Sequence, residues 1–246
     1  MRENFEINIA HLYPELLDIN SDFGNIQVLK KRLEWRGINV NVDKISHNDA
    51  IVYNKFDIYY LGGGQEKQQQ TVSELLKAHK NAFKELTENN VVFLGVCGGY
   101  QLLGNYYEDK NGNKISGLGL LDSYSIYSQK RFTGNVTVET DFLTPKTIVG
   151  FENHTDEIFL ENNTKPLGKI LVGHGNNSKD NFEGAIYNNC LGTHLHGPVL
   201  AQNVHLADFI LQLAIRRKVN DNSYLLTQLE DKIEFTAHKN AVIKKY

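Results

Sequence analysis

The chain has 246 residues, 41% of them hydrophobic, and a formal net charge of −3. That is ample apolar material for one large core or two small ones; it excludes a disordered chain and offers no basic surface for a nucleic-acid polyanion. Its two cysteines, Cys97 and Cys190, form no disulfide framework and suit a reducing cytoplasm, and the absence of a long apolar run predicts a cytoplasmic protein with no membrane segment.

Taken in order, residues 5–12 alternate between apolar and polar and predict a strand, broken by Tyr13-Pro14. Residues 22–35 predict an amphipathic helix with Ile26, Leu29 and Leu33 inward, Asp22 placed to cap it and Gly37 to end it. Residues 38–42 and 56–61 are further strands, the latter running into Gly62-Gly63-Gly64. One long polar helix is expected over 65–88, its buried stripe supplied by Val72, Leu76, Phe83 and Leu86. The β-branched run 91–96 reads as a fully buried strand, and Cys97-Gly98-Gly99 follows it directly. Four short alternating runs, 134–139, 147–151, 168–172 and 183–187, predict an antiparallel extension of the sheet. A helix over 203–218 and a polar tail with helical spacing at Leu225, Leu229 and Ile233 complete the chain. Strands alternating with helices of this length argue for an α/β fold with a mostly parallel sheet covered on both faces. With no repeat or linker, one domain is expected: a core of about 5–218 and a helical tail of about 222–246.

Three stretches fall where the C-terminal ends of parallel strands converge, the edge at which open α/β sheets bind ligands. Cys97, wedged between a buried strand and two glycines, sits where a sharp elbow presents a nucleophile, although a buried free cysteine also serves as a small hydrophobe. Gly62-Gly63-Gly64 can offer backbone N–H groups to an oxyanion, joined by Gly98 N–H, and lacks the spacing of either phosphate-binding glycine motif. His194 and His196 end the third stretch and project to one side of a strand; either is a candidate base for a thiol. Two histidines with no nearby third ligand make a weak metal site, and no metal is expected. Of the nine histidines, His47, His79, His205 and His238 sit in polar or helical contexts and are expected to be solvated.

Leu61-Gly62-Gly63-Gly64, Gly95-Val96-Cys97-Gly98-Gly99-Tyr100-Gln101 and His196-Gly197-Pro198 resemble the class I, triad-type glutamine amidotransferases. With Arg131-Phe132-Thr133-Gly134 and Val149-Gly150-Phe151-Glu152-Asn153-His154, the resemblance narrows to the cobyric-acid-synthase-like subgroup, and within it to free-standing glutaminase subunits that serve lipid II isoglutaminyl synthesis. It implies a flavodoxin-like three-layer fold. It also implies hydrolysis of L-glutamine, with Cys97 as nucleophile, His196 as base and then acid, Gly63 or Gly64 with Gly98 as oxyanion hole, Arg131 on the substrate carboxylate and Gln101 supporting the pocket. No cofactor is implied in this chain. ATP and magnesium are expected in a heterodimeric partner, a Mur-ligase-like synthetase of the MurT type, which would amidate D-glutamate in the lipid II stem peptide. Most class I members carry a glutamate where this chain has Pro198, which leaves the third catalytic residue unidentified; Glu152 is the internal candidate and a carboxylate of the partner the external one. The alternatives are a corrinoid-type amidotransferase component, a stand-alone cysteine hydrolase and a non-catalytic flavodoxin-like interaction module.

Overall fold

The apolar runs become the parallel strands of a six-stranded sheet. The computed structural model describes residues 5–19 and 23–243. The first half holds β1 (Glu6–Leu12), α1 (Phe23–Trp35), β2 (Asn39–Ile45), β3 (Ile58–Leu61), α2 (Glu66–Lys77), α3 (Lys80–Glu88), β4 (Val92–Val96) and the short α4 (Gly98–Leu103). The second half holds β5 (Tyr106–Glu108), β6 (Lys114–Ser116), β7 (Ser123–Glu139), β8 (Thr147–Leu160), β9 (Gly168–Val172), β10 (Phe182–Glu183), β11 (Ala185–Tyr187), β12 (Cys190–Thr193), α5 (Val199–Gln202), α6 (Val204–Val219) and α7 (Lys232–Ile243). The first sheet runs β11-β12-β4-β3-β1-β2, parallel throughout except for β11.

Alternation along each strand sends side chains to two separate cores. Ile7, Ile9, Ile58 and Leu94 meet Ile26, Leu29 and Leu33 of α1 and Ile210 and Leu211 of α6. Leu12, Tyr59, Leu61 and Phe93 meet Val72, Leu76, Phe83 and Leu86 of α2 and α3. The sheet is therefore the middle of three layers, as expected. Each fully buried aliphatic side chain contributes about 1.5–3 kcal/mol, and truncating one such as Leu29 to alanine costs roughly 2–5 kcal/mol.

Several details depart from the sequence-based expectation. The helix over 65–88 is two helices: at Ala78-His79 the chain tightens, with His79 N–H donating to Leu76 O, and the His79 ring is held at 2.6 Å from the Tyr53 hydroxyl. The runs 134–139 and 147–151 are the ends of two long strands, and most of the antiparallel material forms a second sheet, β10-β9-β7-β5-β6, with β8 paired to β7. The run 183–187 divides between the sheets at Gly184, whose φ of +67° lets the chain turn from β9 towards β12 and where a Cβ would lie 2.5 Å from the Leu167 side chain. A bridge between Phe151 of β8 and His196 ties the two sheets together, with backbone hydrogen bonds of 2.8 and 3.3 Å. Asp22, the expected cap of α1, lies outside the described residues; Asp18 Oδ1 accepts the Phe23 N–H there.

Tyr224 and Leu226 of the tail pack on the core, and buried charge anchors it further. Leu225 and Ile233 are exposed. Arg32 of α1, 1% exposed, grips Asp208 of α6 and Asp231 just ahead of α7 with forked hydrogen bonds of 2.6–2.9 Å. Of the histidines expected in solvent, His79, His205 and His238 are hydrogen-bonded instead. His238 Nδ1–H donates to Gln202 O at the end of α5, and its Nε2 lies 2.8 Å from Thr147 Oγ1 at the start of β8. Among the described residues no helix is long and apolar enough to cross a membrane.

Candidate active site

Cys97 stands at the C-terminal end of the central strand β4, with φ 52° and ψ −111°. A residue with a Cβ is strained in that conformation, at a cost of about 1–3 kcal/mol. It persists because the surrounding backbone enforces it: Cys97 N–H donates to Thr193 O at 2.8 Å, and Gln101 N–H donates to Cys97 O at 3.2 Å. The glycines after it permit the turn. A Cβ on Gly99 would lie 2.2 Å from Leu61 O, and Gly99 N–H donates to Gly62 O at 3.0 Å. That contact sets the 62–64 loop beside the elbow, so the expected oxyanion donors of Gly63, Gly64 and Gly98 come from adjoining strand ends. Gln69 of α2 pins the loop by donating its amide to Gly64 O.

Cys97, Gly64, Gln69, Gln101 and Arg131 share a cavity of about 320 Å³. Arg131 precedes the run 134–139 expected as a strand; it lies inside the longer β7, in the irregular stretch between Tyr127 and Phe132 where the register against β8 shifts. Its Nε donates to Asn153 Oδ1 at 2.8 Å, and it forms no ion pair with a described residue. Arg131 therefore lines the cavity as a cation held by a neutral amide.

His196 is buried, 2% exposed, and follows the β12 strand whose Thr193 carbonyl receives the Cys97 N–H. The described lining of the cavity includes neither His194 nor His196. The Cys97 thiol makes no hydrogen bond with a described residue, so nucleophile and base are near in the fold without being joined. Glu152 is directed elsewhere: its carboxylate accepts the N–H groups of His174 and Gly175 at 2.8 and 3.0 Å and lies 3.8 Å from His154 Nε2.

A polar cluster, largely buried, reaches the cavity through His154 and Asp156. Glu152, His154 and Asp156 alternate along β8 and share one face. The rings of His154 and His194 stack 3.8 Å apart with planes 1° from parallel. Asp156 Oδ2 lies 2.9 Å from His194 Nε2, and Glu183 Oε1 accepts from His194 N–H and Thr193 Oγ1. Burial opposes charge on His154, but Glu152, Asp156 and Glu183 outweigh it and its pKa is raised. Burial likewise opposes the Asp156 anion, but the His194 ring, with His154 and the Gln101 amide behind it, holds the carboxyl below its usual range. His154, Asp156 and His194 offer donor atoms within 4.8 Å of one another, the composition of a metal centre. The geometry speaks against one, because lone pairs lying in two parallel, stacked planes cannot converge on a common ion. The trio is arranged for hydrogen bonding.

Sequence reasoning did not single out Gln69, Asn153 or Asp156. The period-two spacing of Glu152, His154 and Asp156 was the available signal for the last.

Residues 8–204 match the family model of the CobB/CobQ-like glutamine amidotransferase domain. The chain is 40% identical over 213 residues to the lipid II isoglutaminyl synthase (glutamine-hydrolyzing) subunit GatD of Staphylococcus aureus (strain N315), covering 87% of this chain and 86% of that one. It is 37% identical over 222 residues to the subunit of the same name from Streptococcus pneumoniae (strain ATCC BAA-255 / R6), covering 90% and 85%. Cobyric acid synthase of Listeria monocytogenes serotype 4a is 27% identical over 198 residues, and the match spans 38% of that longer protein. Among solved structures, a glutamine amidotransferase superposes with a TM-score of 0.56 at 15% identity, covering 83% of this chain and 98% of that one. The glutaminase domain of Trypanosoma brucei CTPS superposes with 0.53 at 11%, covering 90% and 97%. At those identities the likeness is one of fold.

Proposed function

The chain belongs to the CobB/CobQ-like glutamine amidotransferase family, and from that premise we propose that it is the glutaminase subunit of a two-component enzyme that amidates the D-glutamate of lipid II. The observation that carries the reading is the placement of Cys97 and Arg131 on one cavity, a strained nucleophile together with a guanidinium that has no ion pair among the described residues.

In this mechanism Arg131 holds the α-carboxylate of L-glutamine, for which a planar fork is suited, and Gln101 supports the wall between them. The Cys97 sulfur bonds to the γ-amide carbon while His196 takes the thiol proton. The carbonyl oxygen becomes an oxyanion, received by backbone N–H groups of Gly63 or Gly64 and Gly98. His196 then returns the proton to the nitrogen, the C–N bond breaks and ammonia leaves. Water, deprotonated by His196, attacks the thioester; glutamate departs and the thiol is restored. Ammonia passes to a Mur-ligase-like synthetase of the MurT type, in the cytoplasm, which supplies ATP and magnesium chemistry and reaches lipid II.

A histidine base works best when a third group orients it. Pro198 has no carboxylate to offer, and Glu152 is spent on the turn at His174 and Gly175. We place an orienting carboxylate on the synthetase, an arrangement in which glutamine is consumed only when an acceptor enzyme is docked. The test is ammonia release from L-glutamine by the isolated chain, by the complex, and by the complex with acidic interface residues of the synthetase neutralised. Turnover should be low, high and low in that order, and Cys97→Ser should abolish it in the complex. Full turnover by the isolated chain refutes the shared site; full turnover by Cys97→Ser refutes the nucleophile.

A further inference from the structure

A glutaminase must recognise a zwitterion. The α-carbon of glutamine carries an anion and a cation, so the group that pairs with the ammonium has to lie beside Arg131, on the same wall of the cavity. Removing an ammonium from water without an anionic partner is costly. Resting on the glutaminase reading above, we propose that Asp156 receives the α-ammonium of glutamine, so that Arg131 and Asp156 together select an α-amino acid amide.

The pairing of β7 with β8 brings the two together. Tyr127 pairs with Asp156 and Phe132 with His154, and Arg131 lies in the irregular stretch between those pairs. Both Arg131 and Asp156 line the cavity that holds Cys97. Opposite charges this close in sequence register would ordinarily neutralise each other, yet each is engaged elsewhere: Arg131 by the neutral Asn153 amide, Asp156 by His194. That leaves a cation and an anion on one cavity with no ion pair between them, which matches a substrate carrying the complementary pair.

The carboxylate is also held in place. One oxygen, Oδ2, is fixed by His194 at 2.9 Å; the other, Oδ1, has His154 Nδ1 at 3.7 Å, beyond hydrogen-bond range, because that nitrogen donates to the Asp156 carbonyl. The side chain keeps 14% exposure. The Gln101 amide also bonds to this carboxylate, so the acceptor is fixed by neutral and imidazole donors and carries no cationic side chain of its own, which preorganises it for a charge-assisted bond. Three other acids line the cavity, Glu66, Glu108 and Asp109. Asp109 is consumed by its own turn, accepting from Asn111 N–H, Asn113 N–H and the Asn113 amide. Among the described residues neither Glu66 nor Glu108 is bonded to a histidine, as Asp156 is.

The experiment compares L-glutamine with glutaramate, which keeps the carboxylate and the terminal amide and lacks the amino group, using the chain in complex with its synthetase. The unmodified complex should prefer glutamine in kcat/KM by on the order of 100-fold, as a site built for a polar group rejects the analogue lacking it. Asp156→Asn should remove most of that preference, acting through KM for glutamine and leaving glutaramate little changed. Asp156→Glu should restore part of it, and Glu66→Gln and Glu108→Gln should retain it. Three results overturn the assignment: equal loss on both substrates in Asp156→Asn, loss of discrimination in Glu66→Gln or Glu108→Gln with Asp156→Asn unaffected, or a preference below about threefold in the unmodified complex, which decides the matter even if Asp156→Asn does not fold. Failure of the unmodified complex to release ammonia from either amide would instead sink the glutaminase reading itself.

Discussion

Replacing Arg32 with methionine removes the clasp that holds the tail. Arg32 donates four hydrogen bonds to two carboxylates. Asp208 keeps Arg36 as a partner at 2.7 Å, so the stranded charge is Asp231, 9% exposed. Breaking a buried pair by removing one member costs roughly 3–5 kcal/mol. Protonation sets the upper limit. Asp231 can escape by taking a proton, which from a reference pKa of 3.8 at pH 7 costs about 4 kcal/mol at 1.36 kcal/mol per unit. The expected loss in Arg32→Met is therefore about 3–4 kcal/mol at pH 7, read from the urea midpoint followed by circular dichroism and by the fluorescence of the chain's one tryptophan, Trp35, on the same helix. Arg32 lowers the Asp231 pKa in the folded protein, so this stabilisation is present above the unfolded value and fades as pH falls through the depressed one; the gap between wild type and variant should narrow below about pH 4. Adding Asp231→Leu should recover at least half of the loss, because removing both members of a buried pair is close to neutral. A loss under about 1 kcal/mol, or a double variant no more stable than the single one, refutes the reasoning.

Arg131→Ala should raise KM for glutamine by on the order of 100-fold with the unfolding midpoint unchanged, since the side chain is exposed and holds only Asn153; unchanged kinetics would make it a mere surface charge. His196→Ala should abolish turnover in the complex, whereas His194→Ala should cost about 2–4 kcal/mol of stability and raise KM for glutamine with kcat largely kept, because it strips a buried stack and releases Asp156; equal loss of kcat in two folded proteins would overturn that division of roles. Burial holds His11 and His205 at pKa values lowered to about 4. A depressed base binds its proton more readily when unfolded, so both contribute stability that is complete above pH 6.5 and is lost as pH falls towards 4, up to about 3 kcal/mol each. His205→Gln, which keeps a donor for Thr147 O, should flatten that decline between pH 6.5 and 4.5; an unaltered slope in urea midpoints would show that His205 is not one of the titrating groups.

The parallel sheet was legible because β3 and β4 are buried throughout and read as short apolar runs, while β1 and the edge strand β2 alternate. The ends of β7 and β8 were legible as short alternating runs. Their full length was not, since residues such as Gln129 and Lys130 face solvent and carry no alternation. The break at His79 is set by Tyr53, distant in sequence, and leaves no local mark. The same holds for His205 and His238, whose partners come from β8 and α5. At the site, Cys97 and the 62–64 loop stood out because glycines flank strand ends. Arg131 and His196 were picked out by resemblance, and the structure adds their surroundings. Asp156 escaped because its importance depends on which strand lies beside it and on the stacked rings behind it.

The backbone of Cys97 has a consequence for how this lineage can change. At φ 52° and ψ −111° glycine is at ease and every other residue is not. Selection for stability alone would favour glycine there, and Cys97→Gly should be inert yet more stable than the parent by roughly 1–3 kcal/mol. A descendant released from its chemistry, for instance one kept only as a scaffold for its synthetase, has a downhill route to glycine and no comparable route to alanine or serine, which inherit the strain. Glycine at the elbow is thus the expected scar of a retired copy, and cysteine held there against the gradient is the sign of one still at work.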